Sequence, residues 1–185
     1  MGVIVITGNG KGKTTSALGL AMLAQDTKGQ AAIVQFLKGN SYAGELFAAQ
    51  RAGLEIYQFG WGCPWSSLIR NGSKQCDNCG ECFRENRRPE HGFAAMAMEC
   101  AVRLAGSGSY GLLVLDEISH ALRRELLTEQ VVLDFLLQYR SRMDIVLTGR
   151  QMAAAICQVA DFVYELKDIK HPLRSGIASR RGVEY

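Results

Sequence analysis

The sequence predicts an α/β fold: an open, mostly parallel sheet with helices on both faces, interrupted once by a Cys-rich insertion. Three observations carry this. Short apolar, β-branched runs alternate with longer segments of helical periodicity. A Gly-rich turn joins the first run to the first helical segment. A later, very apolar run ends abruptly in two acids, Asp116 and Glu117. In open sheets of this kind, ligands sit beyond the carboxyl ends of the strands.

Residues 3–7 are short and β-branched, as a strand buried on both faces should be. The Gly-rich turn follows, then a helix over about 13–28 with Ala17, Leu18, Ala21 and Ala24 on one face. Residues 31–36 read as a second strand, 43–52 as a helix and 54–59 as a third strand. There the alternation stops. Residues 60–92 hold four Cys, several Gly and Asn, and many charges, with no clear period. They are expected to form an inserted loop or small subdomain within one domain spanning 1–185. Helical pattern returns over 92–105, and 107–111 reads as a turn. Residues 112–115 form the strand that ends in Asp116 and Glu117. Thr128 is placed to cap a helix whose buried face carries Val131, Val132, Phe135, Leu136 and Tyr139. Residues 145–148 read as another buried strand and 162–166 as the last. Cys100 and Cys157 fall in helical stretches and are expected to be buried, since a thiol packs as a small hydrophobe.

The chain has 185 residues, 48% hydrophobic and 21% charged, which suits one folded domain and excludes a disordered chain. The net charge of +3 is too small for a dedicated nucleic-acid binder. Five Lys/Arg against two Asp/Glu in 167–185 account for the whole excess. This basic tail, with Lys170, His171, Arg174, Arg180 and Arg181, either is solvated or folds over an anionic ligand. No run approaches the roughly 20 apolar residues that a membrane helix needs. The opening residues lack a charged n-region and run straight into a motif, and Ile6 does not fit a myristoylation signal. A cytoplasmic protein with no membrane or nucleic-acid partner is expected. In a reducing compartment, six cysteines point to thiols or metal ligands before disulfides.

The turn after the first strand reads Thr7-Gly8-Asn9-Gly10-Lys11-Gly12-Lys13-Thr14-Thr15. Glycines let the backbone curl so that successive amides face phosphate oxygens, and the helix N-terminus adds partial positive charge. Lys13 supplies a full charge, and Thr14 can offer its hydroxyl to Mg²⁺ or Mn²⁺. The ending matches the phosphate loop of nucleotide-binding proteins; the opening does not, because Thr7 stands where that pattern has its first Gly. Asp116 and Glu117, at the end of an apolar strand, are placed to hold that cation directly or through water. Lys38 and Glu45 follow the second strand on the same edge, and Arg150 follows another strand end. His91 and His120 are isolated in sequence and read as structural or solvated.

These residues carry a resemblance. The loop, with its Thr in first place, is similar to that of the corrinoid adenosyltransferases of the ATP:cob(I)alamin and cob(I)yrinic acid a,c-diamide type. Val34-Gln35-Phe36-Leu37-Lys38-Gly39, Gly60-Trp61-Gly62-Cys63-Pro64-Trp65, Leu115-Asp116-Glu117-Ile118, Leu147-Thr148-Gly149-Arg150 and Ala160-Asp161 follow in that family's order. The tail, from Lys170-His171-Pro172 to Gly182-Val183-Glu184-Tyr185, resembles the family's ending. Only about residues 66–90 stand outside the resemblance.

The resemblance implies a P-loop enzyme that transfers the 5′-deoxyadenosyl group of ATP to Co(I) of a corrinoid and releases triphosphate. It implies ATP bound in the sense opposite to that of phosphate-loop hydrolases, a homodimer, and an electron donor such as a flavoprotein or ferredoxin. By position, Gly8, Asn9, Gly10, Lys11, Gly12, Lys13, Thr14 and Thr15 would hold the triphosphate. Thr14 with Asp116 or Glu117 would hold Mg²⁺, and Trp65 would lie against the corrin face. Lys13, Thr14 and Glu117 would be catalytic, with Lys38 and Arg150 as further ligand contacts. Co(I) is itself a strong nucleophile, so the protein's tasks are to orient it on C5′ and to stabilise charge on the leaving triphosphate. Trp61 and Trp65 are candidates to pack on the corrin and exclude water, which would ease reduction of Co(II).

The cysteines depart from the family. Cys63 stands where its pattern has Phe, and Cys76, Cys79 and Cys82 follow as C-x₂-C-x₂-C. Soft thiolates select zinc or an iron–sulfur cluster. Structural zinc sites usually pair two separate C-x₂-C knuckles, whereas three contiguous ligands plus a remote Cys-Pro resemble cluster proteins. A [4Fe–4S] cluster is favoured, with Zn²⁺ and a metal-free loop as the alternatives. Two other functions stay open at this point: an ATP-dependent iron–sulfur carrier or assembly protein, and an ordinary P-loop kinase or ATPase.

Overall fold

The computed structural model describes residues 1–39, 43–77 and 79–170. The tail residues His171, Arg174, Arg180 and Arg181 and the terminal Gly-Val-Glu-Tyr lie outside the described residues. In chain order, strand β1 (Val3–Thr7) leads into helix α1 (Lys13–Lys28), strand β2 (Gln30–Phe36), helix α2 (Gly44–Arg51) and strand β3 (Glu55–Phe59). Residues 60–92 then hold two five-residue helices, α3 (Ser66–Arg70) and α4 (Glu81–Glu85), and a 3₁₀ turn at Pro89–His91. Helix α5 (Phe93–Ser107), strand β4 (Tyr110–Asp116), helix α6 (Ile118–Arg123) and helix α7 (Glu129–Tyr139) follow. Strand β5 (Asp144–Thr148), helix α8 (Ala154–Val159) and strand β6 (Phe162–Glu165) complete the described chain.

The six strands form one sheet in the order β3-β2-β4-β5-β1-β6, and every neighbouring pair is parallel. Strand alternation assigns the two faces. Ile33, Leu112, Val114 and Val146 pack against Ala17, Leu18, Ala21 and Ala24 of α1 and Ala49 of α2. Their neighbours Val34, Leu113, Leu115 and Leu147 pack against α5, α6, α7 and α8. Helices therefore cover both faces, as the near-continuous apolar strands require. Parallel strands all point their carboxyl ends the same way, so the loops after β1, β2, β3, β4 and β5 open on one edge.

Several sequence expectations need adjustment. Thr128 does cap α7, its hydroxyl accepting from the Val131 amide. Val131 itself is 42% exposed, however, because the first turn of α7 points it outward while Val132, Phe135, Leu136 and Tyr139 are buried. The expected turn over 107–111 shrinks to Gly108 and Ser109, since α5 runs to Ser107 and β4 starts at Tyr110. Cys100 is buried, but Cys157 is only half-buried on the short α8. The last strand stops at Glu165, and all four of its residues are exposed. Helix α6 has no counterpart in the sequence reading; six residues are too few to show a period. Among the described residues, no helix is long and apolar enough to cross a membrane.

Candidate active site

The phosphate-type loop lies between β1 and α1. Gly8 (φ 97°) and Gly12 (φ 101°) both take the left-handed region, which glycine occupies without penalty. A side chain at Gly8 or Gly10 would overlap the backbone of Leu166, and the Gly10 amide donates to the Leu166 carbonyl at 2.7 Å. The loop is thus seated on the segment just after β6. Lys13 is only 6% exposed. Its ammonium donates to the Gly8 carbonyl at 2.9 Å and the Gly10 carbonyl at 2.6 Å, bridging the loop from within. Burial lowers its pKa; Glu117, Asp168 and Asp116 pull the other way, and Arg150 reinforces the lowering. Asn9, Lys11 and Thr15 are exposed around the loop, and Thr14 is half-buried.

Asp116, fully buried at the end of β4, is the hub that joins the loop to the sheet. Its Oδ1 accepts from the Thr14 hydroxyl at 2.9 Å and the Thr148 hydroxyl at 2.6 Å. Its Oδ2 accepts from the Gln35 amide at 2.9 Å. Gln35 in turn accepts from Gln58 at 2.8 Å. Elements β3, β2, β4, β5 and α1 are therefore joined at their ligand-facing ends by one chain of side-chain hydrogen bonds. Thr148 serves twice, since it also accepts from the Glu117 amide at 3.0 Å. Glu117 sits at φ 60°, a left-handed conformation uncommon for a non-glycine residue. Its carboxyl pKa is raised, first by burial and then by Asp116, with partial relief from Lys13, Lys38 and Arg150.

Lys38 forms an ion pair with Glu45. Burial raises the Glu45 carboxyl, but the charge and hydrogen bond of Lys38, with a further bond from Gln35, more than offset it, so its pKa is lowered. Arg150 is exposed, with its carbonyl held by the Ser119 hydroxyl at 2.9 Å. Its charge reaches Lys13, Glu117 and His120. Gly149 (φ 140°) allows this turn, because any side chain there would overlap Ser119. The structure thus brings together Lys13, Thr14, Lys38, Asp116, Glu117 and Arg150, as the sequence suggested. Lys13 and Arg150, with Lys38 in its ion pair to Glu45, stand near Asp116 and Glu117, an arrangement suited to a polyanion with a hard divalent cation.

The loops after β2 and β3 meet backbone to backbone. A side chain at Gly39 would strike the Gly60 carbonyl, one at Gly60 the Lys38 amide, and one at Gly62 the Gly39 carbonyl. Three glycines therefore seat the Trp61 segment beside Lys38. Trp61 and Trp65 are 41% and 47% exposed, large aromatic surfaces left in water. Asn86, 8% exposed, clamps the Trp61 backbone on both sides, accepting from its amide and donating to its carbonyl. The Trp61 ring stacks on His91 at 5.4 Å between centroids, and His91 stacks on Phe93 at 5.1 Å. His91 Nε2 also lies 3.2 Å from Glu85. His91 is therefore structural and far from isolated. His120 is half-buried, and burial followed by Arg124, Arg123, Arg87 and Arg150 lowers its pKa.

The four cysteines of 60–92 differ in setting: Cys63 is buried, Cys82 half-buried, Cys76 and Cys79 exposed. Burial raises the Cys82 pKa first, and Cys63, Cys79 and Cys76 add to it, so all three lie within electrostatic reach of Cys82. Among the described residues, no three His, Cys, Asp or Glu side chains stand in metal-holding geometry. Gln35, Gln58, Thr148 and Asn86 escaped the sequence reading as site residues. Gln35 and Gln58 had a signal, being amides inside otherwise apolar strands; Asn86 had none.

Comparison with known proteins fits this geometry. Residues 2–185 match the ATP:corrinoid adenosyltransferase BtuR/CobO/CobP family. A corrinoid adenosyltransferase from Sinorhizobium sp is 33% identical, over 99% of this chain and 79% of its own length. One from Escherichia coli K12 is 28% identical, over 99% of this chain and 85% of its own. Among solved structures, a KaiC-like protein from Pyrococcus horikoshii OT3 superposes with a TM-score of 0.52 at 17% identity, covering 91% of this chain and 73% of that one. That likeness concerns the fold alone.

Proposed function

The chain belongs to the ATP:corrinoid adenosyltransferase family, and from that premise we propose how its own residues carry out the transfer. It is an enzyme that moves the adenosyl group of ATP onto the cobalt of a corrinoid. The cobalt lone pair of Co(I) forms a bond to C5′, the C5′–O bond breaks, and its electrons leave with triphosphate. No general base is needed, because no proton is removed from the nucleophile.

The chain's task is to hold the leaving group and to aim the ribose. Gly8 to Thr15 cradle the triphosphate with backbone amides. Lys13 exchanges its two loop carbonyls for phosphate oxygens, and Lys38 and Arg150 add charge where negative charge grows. The oxygens of Thr14 and Glu117, backed by Asp116, form a hard donor set that fits Mg²⁺; that ion would offset charge on the phosphates. Asp116 has both oxygens engaged by neighbours, so it acts through Thr14, and Glu117 is the carboxylate left to face the cation. Trp65, with Trp61, lies against the corrin and keeps water from the cobalt.

Finer features belong to the same reading. The spacing of Cys63, Cys76, Cys79 and Cys82 supports an iron–sulfur cluster or zinc. Phe162, Val163 and Tyr164 on edge strand β6 are about half exposed, which supports a homodimer. The consumption of Co(I) calls for an electron donor of the flavoprotein or ferredoxin class. Six cysteines suit a reducing, cytoplasmic setting. Residues 60–92 are read as an insertion in a single domain.

The carrying observation is the loop-to-Asp116 network on a chain matched to the family over residues 2–185. Anaerobic protein is mixed with ATP and reduced cobalamin, and the cobalt–carbon spectrum is followed together with triphosphate. The expected result is one triphosphate per alkylated cobalt. Steady ADP release without a cobalt–carbon bond would instead mark a kinase, an ATPase or a cluster carrier.

A further inference from the structure

Residues 60–92 have too little core to hold a shape by burial. Cys63 and Ile69 are their buried apolar residues, and each of their two helices is five residues long. Helices that short are marginal without tertiary support, and small units of this kind need a staple. Yet this segment presents two half-exposed tryptophans, and an aromatic surface that is to pack on a flat ligand must be held still.

The cysteines sit where such a staple would act on both rings. On one limb, Cys63 follows Trp61 by two residues, and Cys82 precedes Asn86 by one helical turn, its carbonyl accepting from the Asn86 amide at 3.1 Å. The double hydrogen bond from Asn86 to Trp61 ties together the two segments that carry those cysteines. On the other limb, the Lys74 amide donates to Leu68 at 3.1 Å, and its ammonium lies 5.4 Å from the Trp65 ring centroid. The same ammonium is 3.3 Å from Asp77, which also accepts from the Cys79 amide at 3.3 Å. Cys76 and Cys79 flank that contact. The described residues of 71–80 hold only turns, bends and coil, so the run is free of the regular structure that would keep its thiols apart.

We propose that Cys63, Cys76, Cys79 and Cys82 close on one thiophilic metal centre, zinc or an iron–sulfur cluster, that locks Trp61 and Trp65 into a single rigid platform for the corrinoid. The identity of the platform's ligand rests on the adenosyltransferase reading; the locking does not. Four soft thiolates are the ligand set that zinc and iron–sulfur clusters take. Closure ties the Trp61 limb to the Trp65 limb through Asn86 and Lys74.

The test uses the full chain, stripped anaerobically with a chelator, then given Zn²⁺ alone or Fe²⁺ with sulfide. The expected result is one centre per chain, a change in tryptophan emission on loading, and protection of residues 60–92 from protease. Visible charge-transfer absorbance distinguishes a cluster from zinc. Cys79→Ser should lose the centre and the emission change together, while Lys74→Ala should keep the centre and lose most of the emission change. In activity, stripping should raise KM for the corrinoid about 10-fold and leave KM for ATP unchanged. A chain that retains no metal, or that loads metal with unaltered emission and protease sensitivity, overturns the proposal. A chain that loads metal and changes emission but never alkylates cobalt keeps this proposal and loses the corrinoid reading.

Discussion

Gln35 donates its side-chain amide to Oδ2 of Asp116 at 2.9 Å, with both residues fully buried. This bond occupies the second oxygen of the carboxylate. The other oxygen already accepts from Thr14 and Thr148, so the carboxylate is fixed in the plane that sets the Thr14 hydroxyl. Gln35 thus acts on the Thr14 hydroxyl through Asp116.

Replacing Gln35 with Leu leaves a buried carboxylate oxygen without its donor, at a cost of about 2 kcal/mol. The divalent-cation requirement for adenosyl transfer should shift to higher concentration, while KM for the corrinoid stays put. Gln35→Glu should be worse, because it sets a second carboxylate against Asp116. Urea melts and Mg²⁺ titrations of the rate check both; an unchanged cation requirement in Gln35→Leu would remove the positioning role.

Lys13→Ala should lower kcat/KM by about 100-fold or more, the scale of losing a charged donor to a leaving group. Corrinoid binding alone, followed by quenching of tryptophan emission, should be unaffected. Loss of both together would mean that the loop had collapsed.

Gly149→Ala should cost about 2 kcal/mol through overpacking, since the new methyl group meets Ser119 at a φ that disfavours side chains. Ser119 holds the Arg150 carbonyl, so activity should fall along with stability. The double variant Gly149→Ala with Ser119→Ala removes the Oγ overlap but keeps the Cβ contact at 2.8 Å, so it should recover only part of the denaturation midpoint.

His120 gives a signed pH dependence. Burial, with the positive charges of Arg124 and Arg123 at the end of its own helix and of Arg87 and Arg150, holds its pKa below the ordinary 6.5. The unfolded chain therefore takes up a proton before the folded one as pH falls through about 6.5, and stability drops. Thermal melts from pH 8 to pH 5 should show this loss in the wild-type chain and a flatter profile in His120→Gln.

The parts of the fold legible in the sequence were those with a repeating signal. All six strands and the long helices α1, α5 and α7 announce themselves by apolar runs or helical period. Helices α3, α4 and α6 do not, since five or six residues make less than two turns. In the candidate site, Lys13 and Thr14 stand out as the end of a glycine-rich loop that opens α1, and Asp116 and Glu117 as acids that close an apolar strand. Gln35 and Gln58 work only through neighbours on adjacent strands, and adjacency in the sheet follows from topology, not spacing. Val131 was misassigned because the capping turn places it on the outer side of its helix.

The glycine seam at Gly39, Gly60 and Gly62 has one more effect. Where two main chains touch with nothing between them, there is no cushion to absorb a shift. A shift of the Lys38 backbone is therefore passed directly to Trp61, and the loops after β2 and β3 move as one wall.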